Sequence, residues 1–181
     1  MAEFPGFAHC YLLSDPVERR AVRLAAPVGR VTALDIWRGE WLPDKPLEVA
    51  ISSGTQYRDV LWSSSIIPLA VRQRVAEMFE SESFTGWRIF DLDLRPTDRS
   101  PYDRYFGLSV TGRCGQLLPH PGTPDRYYFD PNCWDGSDSS RPMGQRILFV
   151  TEPVQLALKA ANVRNVVLES LSVAEMPYIH E

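Results

Sequence analysis

Fifteen prolines are spread through this chain of 181 residues. Each removes a backbone donor and turns the residue before it away from helix. Long helices are therefore excluded over most of the chain, and short elements joined by many loops are expected. A packed core is still within reach. Apolar residues make up 44% and charged residues 23%, and five Trp, seven Tyr and eight Phe are far more aromatic content than a disordered chain carries. The length suits one domain over residues 1–181. A division into two lobes near 95–104, a polar stretch with two prolines, stays open.

Several function classes are disfavoured at once. Met1-Ala2-Glu3-Phe4-Pro5-Gly6 has neither the basic nor the apolar part of a secretion signal, and no apolar run is long enough to span a bilayer. The expectation is a soluble, cytoplasmic protein that does not engage a membrane. Cys10, Cys114 and Cys133 are an odd number without a close pair, which predicts free thiols rather than a disulfide framework. A formal net charge of −4 lacks the basic footprint of a nucleic-acid binder.

Periodicity places the elements. Leu47 to Ile51 alternates as a strand does, and Asp59-Val60-Leu61-Trp62 is a second strand candidate. Ile67, Val71, Val75, Met78 and Phe79 recur at helical spacing behind the hydroxyls of Ser63-Ser64-Ser65, with Pro68 in the first turn, and predict a helix over about 64–80. Trp87 to Leu94 has the period of a strand, with Trp87, Ile89, Asp91 and Asp93 on one face and Phe90, Leu92 and Leu94 on the other. Tyr105 to Val110 and Tyr127-Tyr128-Phe129 follow as strands, whereas 130–144 is irregular. Near the end, Ile147 to Val150 is a buried strand and Thr151 stands at the N-cap of a helix over about 152–162. Asn162 is suited to a left-handed C-terminus, and Val166 to Leu171 returns as a strand. The fold class is α+β: a mixed, mainly antiparallel sheet with two principal helices and a C-terminal strand-helix-strand unit.

Catalytic chemistry finds little to work with. Only His9, His120 and His180 are present. Cys114 or Cys133 with His120 is the one thiol–imidazole pairing the sequence permits, and no nucleophile elbow marks either thiol. The same three residues lack the paired spacing and the fourth ligand of a zinc site. Asp91 and Asp93 share a strand face, as a hydrolase or transferase could use them, yet a solvent-facing edge places acids in the same way. Asp130-Pro131-Asn132-Cys133-Trp134-Asp135-Gly136-Ser137-Asp138 superficially resembles a calcium loop, but Asp135 stands where the turn glycine belongs and Arg141 where the closing glutamate does. An aromatic residue among carboxylates is also what a protein-binding surface presents. Tyr127, Asp130, Trp134, Asp135 and Asp138 are the candidate partner-binding residues. No cofactor is implied, and no catalytic or metal-ligating residue is assigned.

Taken in order, Trp62-Ser63-Ser64-Ser65-Ile66-Ile67, Phe84-Thr85-Gly86-Trp87, Tyr105-Phe106-Gly107-Leu108 and Ile147-Leu148-Phe149-Val150-Thr151-Glu152 resemble bacterial polymorphic-toxin immunity proteins, typified by a myxobacterial immunity domain. The resemblance covers about 57–173 and is closest over 147–171. It implies a non-enzymatic cytoplasmic protein of bacterial competition that neutralises a cognate toxin by direct protein–protein binding, and it carries over no catalytic residues. Residues 113–145 have no counterpart in that pattern and are either the variable recognition element or a departure from the family. A small hydrolase or transferase using Asp91/Asp93 or Cys114/His120/Cys133, and a regulatory interaction domain without a toxin, remain the alternatives.

Overall fold

A computed structural model describes residues 3–25, 33–63, 68–95, 104–120 and 123–173. The strands are β1 (Cys10–Ser14), β2 (Arg23–Leu24), β3 (Leu47–Ser53), β4 (Val60–Ser63), β5 (Pro68–Arg72), β6 (Trp87–Arg95), β7 (Tyr105–Val110), β8 (Gly112–His120), β9 (Thr123–Phe129), β10 (Ser139–Met143), β11 (Leu148–Thr151) and β12 (Val167–Ser170). The helices are α1 (Ala33–Trp37), α2 (Gln73–Ser81) and α3 (Glu152–Ala160). The fold is α+β, as expected, with its strands in two sheets. One has the order β12-β1-β11-β10-β8-β9, and the other closes into a barrel, β2-β3-β6-β7-β5-β4. Most ladders are antiparallel, while β8·β10, β2·β4 and β3·β6 run parallel.

Alternation along the strands sorts side chains into three apolar clusters. Cys10 and Leu12 of β1 and Phe149 of β11 face one side of the six-stranded sheet, where Phe129 and Cys114 also lie. Leu13, Leu148 and Val150 face the other side, towards the barrel. There they meet Val60 and Trp62 of β4, Val71 of β5, Leu108 and Val110 of β7, and the apolar stripes of α2 and α3. The barrel interior holds Leu24, Val49, Leu61, Leu69 and Tyr105. Both faces of β4, β5 and β11 are thus buried, which is why these strands read as continuous apolar runs.

The strand-helix-strand close is present in split form. β11 and β12 both pair antiparallel with β1, which lies between them, so they run parallel to each other without touching. Asn162, just beyond α3, adopts φ 48°, the left-handed conformation expected of it. Thr151 is the N-cap of α3 but makes no side-chain capping bond. Its hydroxyl donates instead to Asp138 Oδ1 at 3.1 Å.

The first principal helix begins later than the expected 64. Residues 68–72 form β5, paired on one side with β4 and on the other with β7, and α2 starts only at Gln73. Arg72, not a serine, is its N-cap, and Ser64 and Ser65 lie outside the described residues. One strand, β10, is found within 130–144 where the sequence suggested irregular chain, and another, β8, spans a stretch to which periodicity assigned no element. The stretch near 95–104 that could divide two lobes lies mostly outside the described residues. Among those described, no helix is long and apolar enough to cross a membrane.

Candidate functional site

The loop marked by Trp134 is tied inward at each residue the sequence singled out. The Trp134 ring is half-buried and packs edge-on against Phe4 at 5.7 Å, while its Nε1 donates to Ser137 O at 3.0 Å. Tyr127 packs against the same aromatic cluster. Asp130 accepts from the backbone N of Asn132 at 2.9 Å and caps a short 3-10 turn, Pro131–Cys133. Asp135 accepts from Arg113 N at 2.8 Å and Ser137 N at 3.0 Å. Asp138 takes the N–H and hydroxyl of Thr85, both at 2.9 Å, besides the Thr151 hydroxyl. The carboxylates act here as Asx-type turn and inter-element fasteners.

Among the described side chains, neither catalytic alternative is gathered into a site. Asp91 lies on the exposed outer face of β6 in an ion pair with Arg104 at 2.8 Å, and Asp93 is exposed two residues on. Cys114 is buried in the apolar cluster behind β8, and burial, the largest influence, pushes its thiol up to about 12. Cys133 is exposed on the other side of that strand, beside Gly115. Six residues of extended strand separate Cys114 from His120, roughly 20 Å along the chain, and the His120 side chain lies outside those described, as does His180. His9 pairs with Glu152 at 2.8 Å on the surface. No group of three or more potential metal ligands forms among the described residues.

A different constellation appears beside the Trp134 loop. A cleft of about 490 Å³ is lined by Arg38, Glu40, Arg113, Cys133, Arg141 and Met143. Strand register explains why two of these arginines meet. Arg113 of β8 stands directly opposite Arg141 of β10 in their parallel ladder, so both side chains leave the same face. Cys114 and Ser140, one residue on and one residue back, leave the other. Arg38 enters from the turn after α1, which is anchored by the wholly buried Ile36 and Trp37 and by the Ser109 hydroxyl donating to Ile36 O at 2.5 Å. Gly39, at φ +67°, provides the backbone reversal that brings Arg38 and Glu40 to the cleft.

Like charges opposite one another in a ladder repel, and backbone carbonyls absorb part of that cost. Arg113 donates through Nη1 to Val110 O at 3.1 Å and Gly112 O at 3.0 Å, and through Nη2 to Arg38 O at 2.9 Å. Arg141 is only 4% exposed and reaches Glu40 Oε1 at 3.3 Å. Burial, reinforced by Arg113 and Arg38 and opposed by Glu40, pushes its guanidinium down to about 10. Met143 stands at the cleft 64% exposed.

Apart from Arg38 and Glu40, the lining residues named here belong to the 113–145 segment that the sequence set apart. None of the arginines was singled out. Arg141 was noticed only as the wrong residue for a calcium loop. Their meeting depends on ladder register and a distant turn, and no local spacing records either. Neither family models nor curated proteins match this chain.

Proposed function

We propose that this is a cytoplasmic binding protein of the immunity type, which neutralises a cognate bacterial toxin by direct contact, and that the arginine-lined cleft beside the Trp134 loop is where the toxin is held. The observation that carries the reading is the concave cleft with three arginines and an exposed Met143. Arginine, methionine and aromatic side chains are the types enriched where protein surfaces meet, and deeply seated arginines are common hot spots. The cleft also falls in the segment that has no counterpart in the immunity-type pattern, where partner-specific variation belongs. The internally fastened carboxylates of Asp130, Asp135 and Asp138 give its wall a fixed shape, which lowers the ordering cost of association.

The test is association of the purified protein with toxins encoded beside its gene, together with rescue of growth when the two are co-expressed. Nanomolar binding to one of them is expected, and Met143→Asp should weaken it at least ten-fold. A protein inert toward every such toxin would overturn the reading. A native partner that is not a toxin would turn it into that of a regulatory interaction domain using the same cleft.

A further inference from the structure

Arg141 is a deeply buried charge, 4% exposed, with few partners among the described residues. Burying a guanidinium is costly unless its donors are met, yet its Nε is buried and makes no hydrogen bond. Among the described residues its Nη2 has two long contacts, Arg38 O at 3.5 Å and Glu40 Oε1 at 3.3 Å. A saturated pair elsewhere in the molecule provides the contrast: Arg74 grips Asp59 with the Nε and Nη2 donors of one edge, at 2.8 and 2.6 Å. Glu40, half-exposed, makes no such two-point contact with Arg141. Arg113 adds a second fixed guanidinium whose hydrogen bonds among the described residues end on carbonyl oxygens. The arrangement is a preformed receptor lacking its strongest acceptor. A planar guanidinium with an unpartnered Nε–H and a weakly held Nη2 matches a two-oxygen anion.

We propose that the cleft is an oxyanion site, in which Arg141, flanked by Arg113 and Arg38, takes a carboxylate or phosphate group of the ligand, displacing Glu40, which serves the free protein as an internal counter-ion. The cleft volume of about 490 Å³ admits the side chain or molecule that carries the anion as well as the anion itself. That this anion belongs to a bound toxin rests on the reading above. The anion site itself does not need that reading.

Calorimetric titration of the protein alone with glutarate and with inorganic phosphate, each against sodium chloride at matched ionic strength, tests the proposal. Saturable binding of at least one anion, near millimolar, is expected, and which one binds tells a carboxylate ligand from a phosphorylated one. Glu40→Gln removes the competitor and should tighten binding about five-fold, the equivalent of one partly exposed ion pair. Arg141→Met, similar in length and free of charge, should abolish it. Absence of saturable binding for both anions, binding retained by R141M, or an E40Q variant no tighter than wild type would overturn the proposal. E40Q alters a half-exposed side chain, so its result stands even if R141M fails to fold. Since no partner is present, failure here leaves toxin binding intact, and failure of toxin binding leaves this titration intact.

Discussion

Asp59 shows what a single side chain can hold together. It is 2% exposed and accepts both prongs of Arg74 from α2, the backbone N of Arg164 at 2.8 Å from the loop before β12, and Arg72 Nη1 at 3.5 Å. Burial pushes its carboxyl up, but the Arg74 hydrogen bonds, the Arg164 N–H and the charges of Arg74 and Arg72 outweigh burial and hold it below the ordinary range. Asp59→Asn should cost about 3 kcal/mol in urea unfolding, at the low end for a broken buried pair because Arg74 keeps contact with water. The sign of the pH effect follows from the lowered folded value. The stabilisation is complete above the unfolded pKa, near 3.9, and is lost as pH falls through the folded one. The gap between wild type and D59N should hold at neutral pH and close below about pH 4. None of this was legible in the sequence, where Asp59 merely opens a strand, because its partners come from 13, 15 and 105 positions away. Trp134 taught the converse. The sequence picked it out as an anchor for a partner, and its half-buried ring also packs on Phe4. Trp134→Ala should therefore register chiefly as lost stability, about 3 kcal/mol in thermal unfolding.

At the scale of elements, what the sequence revealed was which residues face the core more than which conformation presents them. Val71, Val75 and Phe79 all pack into the cluster between the two sheets, and their spacing of four reads as one helix. Val71 reaches that cluster from a strand, and the other two from α2. Two-sided pairing with β4 and β7 gives the backbone of 68–72 its hydrogen bonds, and this tertiary supply overrides local periodicity. β11, α3 and the left-handed Asn162 were legible because strand, cap and stop signals agree there over a dozen residues. β8 and β10 were not, because their alternation is hidden by Gly115, Pro119 and Pro142 and their register is settled by neighbours far along the chain. Asp138 binds elements of both kinds, clasping the turn before β6 and the start of α3. Asp138→Ala removes three hydrogen bonds and should lower stability by about 2–3 kcal/mol, read as a shifted melting temperature.

Over the whole molecule, the decisive feature is that the six-stranded sheet and the barrel have no separate cores on the sides where they face each other. Leu13, Leu148 and Val150 of the first interleave with Val60, Val71, Leu108 and Val110 of the second. The packing there is close but imperfect. A cavity of about 20 Å³ is lined almost wholly by these apolar side chains, and the neighbouring Ser139 has a buried Oγ with no hydrogen-bond partner among the described residues. A hydroxyl buried without a partner is a net cost of folding. Ser139→Ala should thus stabilise the protein by about 1 kcal/mol, while leaving the backbone contacts of that residue in place. The shared core also governs cooperativity. If each sheet were held by its own interior, truncating a side chain in one would split unfolding into two steps. Because the clusters meet, Leu148→Ala in the sheet and Val71→Ala in the barrel should each lower one common transition, Leu148→Ala by about 2–4 kcal/mol and Val71→Ala by less. Tryptophan fluorescence, reporting from Trp37 and Trp62 in that core, should move in step with far-ultraviolet circular dichroism. Separate midpoints for the two signals in either variant would mean that sheet and barrel unfold independently despite the residues they share.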